Sequence, residues 1–89
     1  MDTVAFEDAL KRDGFTEILT GGFPAGHDLG DHAHPYELRA LVLAGEFRIA
    51  VNGTETVYRP GDVFALAREV RHTERTGAEG VRFLIGRKR

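Results

Sequence analysis

Residues 26–45 read GHDLGDHAHPYELRALVLAG and contain three of the four histidines of this 89-residue chain. His32 and His34 form a His-x-His pair, and on a β-strand alternate side chains point to the same face. Both imidazoles would then lie at a separation suited to a single metal ion. His72 is distant in sequence, so a site that uses all three has to be assembled by the fold. The pair alone does not establish a metal site, since histidine is also common near turns.

Short β segments separated by turn residues surround this stretch. The pattern predicts up to eight strands, at 15–19, 26–34, 38–44, 46–51, 54–58, 62–66, 72–76 and 81–85. Asn52-Gly53 stands between two alternating segments and predicts a tight hairpin turn, while Gly21-Gly22 and Pro60-Gly61 mark further breaks. Many short, evenly spaced strands favour a barrel or a sandwich.

The N-terminus has a helical pattern instead. Thr3 is the predicted cap, Phe6 and Leu10 share one face, and Gly14 is the predicted stop. Because so short a helix is marginal alone, we expect it to pack on the rest of the chain through Phe6, Leu10 and Phe15. No linker or repeat interrupts the pattern, so one domain is predicted over 1–89, with the helix at 1–14 and the β-barrel at about 15–86.

Residues 40–44 are apolar on both faces of the predicted strand, which requires a cover on each side. The second cover is either the N-terminal helix or another copy of the chain. Since an 89-residue chain has room for only a small core, a homodimer is the expected state. Arg39 would face away from His34, in a subunit contact or a surface ion pair.

Composition and charge exclude several classes of function. The 12 Lys and Arg against 14 Asp and Glu give a formal net charge of −2, so there is no basic field for nucleic acid. No apolar run reaches the roughly 20 residues of a membrane span, and acids occupy the start, where a signal peptide needs positive charge. A cytoplasmic protein is expected. The absence of cysteine excludes thiol catalysis and thiolate metal sites.

The histidines and their flanks resemble the two motifs of the cupin superfamily. The first motif matches at Gly26, His32, His34 and Gly45, and Pro60-Gly61 opens the second, which places its histidine at His72. The resemblance covers roughly 23–85. It implies an all-β fold, a small RmlC-like cupin barrel (double-stranded β-helix or jelly roll), here with a short N-terminal α-helix.

Several positions depart from the family pattern. The family's ligand glutamate would fall at Leu38 or Arg39, so Glu37 is the nearest candidate for a fourth ligand and would reach the metal only if the chain bends before it. In the second motif Ala67, Glu69 and Thr76 replace proline, glycine and asparagine. A non-glycine at 69 is tolerable if the loop avoids the left-handed backbone region there.

The resemblance implies that His32, His34 and His72 bind one divalent transition metal, which these ligands leave open among Fe, Mn, Ni, Co, Cu and Zn. Tyr36 and Leu38 share the face of His34 and are predicted to line the pocket. His27 lies outside both motifs and is expected in a loop or on the surface. Glu74 would orient His72 only if its strand bends. In the alternative, the barrel has lost its metal and keeps the histidines as hydrogen-bonded pocket residues.

Two functions remain open at this point. In the first, the metal centre acts on a small polar molecule, with the dioxygenase, isomerase or decarboxylase (lyase) chemistry of metal-binding cupins. In the second, the barrel is a non-catalytic module that binds or senses a small ligand. The fold alone does not decide between them, since one fold hosts many chemistries.

Overall fold

The computed structural model describes residues 2–89, which form one helix and six strands. In chain order these are α1 (Thr3–Arg12), β1 (Glu17–Phe23), β2 (Asp28–His32), β3 (Glu37–Val51), β4 (Thr54–Tyr58), β5 (Val63–Leu66) and β6 (His72–Lys88). The predicted all-β fold with a short N-terminal helix is confirmed. Met1, the first residue of the predicted helix, lies outside the described residues.

Two long strands, β3 and β6, pair antiparallel along most of their length and form the spine of the sheet. Each carries two short strands on its other edge. β1 pairs with the C-terminal half of β6 and β2 with its N-terminal half. In the same way, β5 pairs with the first part of β3 and β4 with its last part. The two halves of the spine therefore carry separate pairs of strands, which curl around one interior.

Two pairs of predicted strands are continuous in the structure, so the predicted number of eight was too high. The segments at 38–44 and 46–51 join in β3, and those at 72–76 and 81–85 join in β6. Gly45 and Gly80 lie at these joins with φ of 79° and 73°, and the β3–β6 register shifts on both sides of Gly45. A Cβ on Gly45 would collide with the carbonyl oxygen of Gly80. The glycines therefore bend the strands without ending their pairing.

The Gly21-Gly22 pair, predicted as a break, lies inside β1. Gly22 pairs with Arg82, and a Cβ at this position would overlap the carbonyl oxygen of Val81. Glycine is needed here because two backbones approach closely, not because the chain turns.

Helix α1 covers one face of the spine. Asp2 caps it in place of the predicted Thr3, since its carboxylate accepts a hydrogen bond of 2.7 Å from the Val4 N–H. The chain leaves the helix through Gly14, which has the predicted role of a stop and a φ of 86°. A buried cluster joins the helix to the sheet, formed by Phe6, Leu10, Phe15, Leu41 and Leu84.

The apolar stretch at 40–44 is covered on both faces within this chain. Leu41 contacts the helix cluster, whereas Ala40 and Val42 face the larger interior core of the sheet. Helix α1 is therefore the second cover, which the sequence alone had left undecided between the helix and another copy of the chain. The homodimer stays a prediction, and it no longer rests on this strand. Within residues 2–89, no helix has the length and hydropathy needed to cross a membrane.

Candidate metal centre

Strand pairing brings the first two site histidines together. His32 at the end of β2 lies directly opposite His72 at the start of β6, and their ring centroids are 4.2 Å apart. The register shifts between Leu29, which faces Glu74, and His32. One extra residue in β2 therefore forms a bulge, and it aligns the two imidazoles across the ladder.

Backbone carbonyl groups set the tautomer of both rings. Nδ1 of His32 lies 2.7 Å from the carbonyl oxygen of Gly30, and Nδ1 of His72 lies 3.0 Å from that of Val70. A carbonyl oxygen only accepts hydrogen bonds, so both Nδ1 atoms donate. In the neutral rings, the lone pair is therefore on Nε2.

The two Nε2 atoms have no partner among the described residues. Both are buried, and no hydrogen-bond donor approaches either one. Buried polar atoms are almost always paired, so two adjacent unpaired lone pairs call for a physical reason. An electron-pair acceptor bound between them would supply it, and Nε2 is a usual metal-binding atom of histidine.

His34 completes the group from the loop after β2. Its carbonyl oxygen accepts a 2.9 Å hydrogen bond from the Glu69 N–H, which ties this loop to the turn before β6. Its ring stacks on Tyr36, with centroids 5.0 Å apart and planes inclined by 15°. Burial, followed by the neighbouring His32 and His72, lowers the pKa of His34. The ring therefore keeps a free lone pair at neutral pH.

The three histidines converge to form one cluster. The ligand nitrogens of His32, His34 and His72 all lie within 4.8 Å of one another. Three imidazole nitrogens at these separations, two of them buried and unpaired, suit a divalent transition metal. The donor set thus fits the metal that the sequence predicted.

The turn that holds His34 contains a residue in the left-handed backbone region. Glu69, which stands where the family pattern has glycine, adopts the left-handed region with a φ of 63°. The condition under which a non-glycine residue is tolerated without strain is therefore not met. The chain instead keeps the glycine-like turn, and the N–H of Glu69 is thereby directed to the His34 carbonyl.

A small cavity of about 150 Å³ opens beside the cluster. Tyr36 and Leu38, both predicted to line the pocket, do so together with His34 and His72. Most of the remaining wall is apolar, from Phe23, Leu29, Phe47, Ile49, Phe64, Leu66, Phe83 and Ile85. The cavity is smaller than the roughly 300–1,000 Å³ pockets that bind drug-sized ligands, so it suits a small molecule.

Glu37, the candidate fourth ligand, does not join this group. It begins β3 opposite Lys88, and its neighbour Leu38 is the residue that lines the cavity. Successive side chains of a strand point to opposite faces, so the carboxylate of Glu37 is directed away from the histidines.

Two residues with only a weak signal in the sequence lie against the cluster instead. Glu74 lines the cavity, and its Oε2 lies 3.6 Å from Nε2 of His72 and 3.7 Å from Nε2 of His32. Its other oxygen, Oε1, lies 3.3 Å from Nε2 of His27. His27 is in the predicted loop, yet its side chain is packed inward. The i, i+2 spacing of His72 and Glu74 was the only sequence signal for this contact.

Comparison with known proteins agrees with this architecture. The family model described as "Cupin domain" matches residues 20–85, which is most of the chain and includes all four histidines. The chain belongs to the cupin family. The resemblance inferred from the two motifs is therefore confirmed, and this cupin has two of the motif histidines, His34 and His72, in the wall of its small cavity.

Solved structures share the fold. A protein of unknown function from Rhizobium leguminosarum superposes with a TM-score of 0.73 at 20% identity, over 79% of this chain and 66% of that one. DMSP lyase DddQ from Ruegeria pomeroyi gives 0.71 at 26% identity, over 81% of this chain and 37% of that one. KdgF from Halomonas sp. superposes with a TM-score of 0.63 at 21% identity, over 81% of this chain and 68% of that one.

This cupin thus spans 66% of the Rhizobium protein and little more than a third of the lyase. Among curated proteins, none matches its sequence significantly.

Proposed function

We propose that this cupin binds one divalent transition-metal ion on His32, His34 and His72, and that the adjoining cavity binds and acts on a small polar molecule. The observation that carries the proposal is the pair of buried, unpartnered Nε2 atoms of His32 and His72, whose Nδ1 atoms already donate to backbone carbonyls. The metal's identity stays open among Fe, Mn, Ni, Co, Cu and Zn.

A metal ion in this position would act as a Lewis acid that polarises an oxygen of the bound molecule. The protein groups around it have separate tasks. The carbonyls of Gly30 and Val70 hold the rings of His32 and His72 in the tautomer that presents Nε2. Tyr36 orients His34 by stacking, and the apolar wall limits the entry of water. The similarity to a DMSP lyase at 26% identity supports an enzymatic role.

The first experiment measures bound metal in protein that has never been exposed to a nickel column. Metal-free protein is incubated separately with Fe(II), Mn(II), Ni(II) and Zn(II), desalted, and analysed by elemental mass spectrometry. We expect about one equivalent of at least one metal in the wild type and none in His72→Ala. Wild-type protein that retains no metal under any of these conditions would refute the site.

A second candidate function is a non-catalytic ligand-binding or sensing module. The observation in its favour is the predominantly apolar wall, which offers few groups for proton transfer beyond the histidines, Tyr36 and Glu74. Oxygen uptake and product formation with small thiols, diols and keto acids distinguish the two functions. Metal-loaded protein that binds members of this panel without turning any of them over would favour the second.

A further inference from the structure

The carboxylate of Glu74 is buried in an unusual setting. The residue is 6% exposed, and its Oε2 faces the same two Nε2 atoms that have no hydrogen-bond partner. The separations of 3.6 Å to His72 and 3.7 Å to His32 are too long for hydrogen bonds. Glu74 therefore lies beside the histidine cluster without being bonded to either of these rings.

Three electron-rich atoms meet at this point. In the neutral rings, whose proton is on Nδ1, each Nε2 carries a lone pair, and an ionised carboxylate oxygen adds a negative charge. Such atoms repel one another in a buried site unless a cation lies between them. The arrangement is therefore the one expected around a bound positive ion.

The distances agree with a shared ion. Imidazole nitrogens and carboxylate oxygens both bind a metal such as zinc at about 2.1 Å, and two ligands at a tetrahedral angle are then about 3.4 Å apart. The observed 3.6 and 3.7 Å are close to this separation. The group of ligand atoms that lie within 4.8 Å of one another contains the three histidines and not this carboxylate, so Glu74 has to move towards His34 to complete the coordination shell.

We infer that Glu74 is the fourth protein ligand of the metal centre, an inference that rests on the three-histidine site proposed above. The carboxylate comes from β6, two residues after His72, and not from the segment before β3 where Glu37 lies. A carboxylate lowers the net charge of the centre and makes it more favourable for Mn(II) and Fe(II). It also leaves an octahedral ion two open positions instead of three, enough for a bidentate small molecule.

His27 is the positioning residue for this carboxylate. Its Nε2 lies 3.3 Å from Oε1 of Glu74, whereas Oε2 is the oxygen that approaches His32 and His72. The ring is itself fixed, since it stacks on Phe23 with centroids 4.0 Å apart, and its backbone N–H donates to Oγ1 of Thr76 at 3.1 Å. His27 thus holds the carboxylate with Oε2 directed to the cluster, as partners outside the ligand shell commonly do.

The test uses the full chain in metal-free form, with Co(II) as the probe. Its affinity is measured by competition with a chromophoric chelator, and its coordination by the visible absorption spectrum. Glu74→Gln keeps the size of the side chain and removes the charge, and Glu37→Gln is the matched control. We expect Glu74→Gln to weaken Co(II) binding by about a hundredfold or more and to change the spectrum, since altering outer partners alone costs about 10–100-fold. Glu37→Gln should match the wild type.

The positioning role of His27 is tested by comparing its variants in the wild-type and Glu74→Gln backgrounds. We expect His27→Ala to weaken Co(II) binding about tenfold in the wild-type background and to have no further effect in Glu74→Gln. His27→Gln, whose amide can still donate to Oε1, should restore most of the affinity. An equal loss from His27→Ala in both backgrounds would refute the positioning role.

The outcomes separate this inference from the proposed function. Wild-type protein that binds neither Co(II) nor any of the metals tested for the proposed function would contradict both. If the wild type binds Co(II) and Glu74→Gln binds it within twofold with an unchanged spectrum, Glu74 is not a ligand and the three-histidine site stands. If Glu74→Gln does not fold, a crystal structure of Co(II)-loaded wild type decides, because a ligand oxygen lies at about 2.1 Å from the ion. A Glu74 oxygen beyond about 3 Å would overturn the inference.

Discussion

His32 faces His72 across the β2–β6 ladder only because of the register shift that follows Leu29. If the register of Leu29 with Glu74 continued unchanged, His32 would face Arg71 instead. The bulge in β2 thus decides whether two imidazoles or an imidazole and a guanidinium meet at the cavity. Arg71 is left on the exposed side, where its Nε donates to Asp31 at 2.7 Å.

Metal removal should lower the stability of the protein. A ligand that binds only the folded state at 100 times its Kd stabilises it by about 2.7 kcal/mol. For a chain of this size that corresponds to a Tm higher by about 10 °C or more. We expect a chelator to reverse this shift, as followed by circular dichroism. His32→Ala should show no metal-dependent shift, and Asp31→Ala, its exposed neighbour, should behave like the wild type.

The link between Asp13 and Arg39 should make stability depend on pH in the acidic range. The hydrogen bond from Arg39, 2.6 Å long, is the main cause that lowers the pKa of Asp13 below its ordinary value of 3.8. A carboxyl group with a lowered folded-state pKa contributes stability above its unfolded pKa and loses it as the pH falls through the folded pKa. Asp13→Asn should therefore be less stable than wild type near neutral pH and equal to it at the lowest pH.

Urea unfolding at several pH values measures this difference, with Asp8→Asn on α1 as the control. A difference between wild type and Asp13→Asn that persists unchanged below the folded-state pKa would contradict the assignment. Both residues of the ion pair are accessible to solvent, so added salt should reduce the effect. Arg39 thus forms the ion pair that was one of its two predicted roles.

Glu69→Gly should stabilise the turn that supports His34. Glu69 has a φ of 63°, and the left-handed region costs a residue with a Cβ about 1–2 kcal/mol. Glycine removes this cost but adds about 0.5–1 kcal/mol of chain entropy in the unfolded state. We expect the free energy of unfolding to rise by about 0.5 kcal/mol. Ala67→Gly, in the same turn without a positive φ, should lower it. The same sign for both variants would count against strain at Glu69.

Leu10→Ala tests how much the packing of helix α1 on the sheet contributes to stability. Leu10 is fully buried between α1 and the sheet, and truncation of such a leucine typically costs about 2–5 kcal/mol. Val4, on the same helix, is 67% exposed, and Val4→Ala should change stability by less than about 0.5 kcal/mol. Because the helix cluster and the cavity lie on different faces of β3, the affinity for Co(II) should stay unchanged in folded Leu10→Ala. A large loss of metal affinity would show that the two regions are coupled.

Local patterns in the sequence were sufficient to identify the family and to single out the three histidines that the fold brings together. Strand alternation and the spacing of Gly26, His32, His34 and Gly45 are properties of neighbouring residues, so they can be read without coordinates. Alternation also placed Leu38 on the face of His34, where it lines the cavity. The number of strands was overestimated because a glycine that bends a paired strand looks the same in sequence as one that ends it.

The partners of the histidines were decided by the tertiary structure alone. Glu74 approaches His32 because β2 and β6 pair across more than forty residues of sequence, and a one-residue bulge sets which side chains meet. His27 reaches Glu74 for the same reason, from a loop that no local pattern connects to β6. Glu37, by contrast, is closer in sequence to His34 and points away. Sequence periodicity reports the face of a strand on which a side chain lies, and only the register of distant strands determines what it faces.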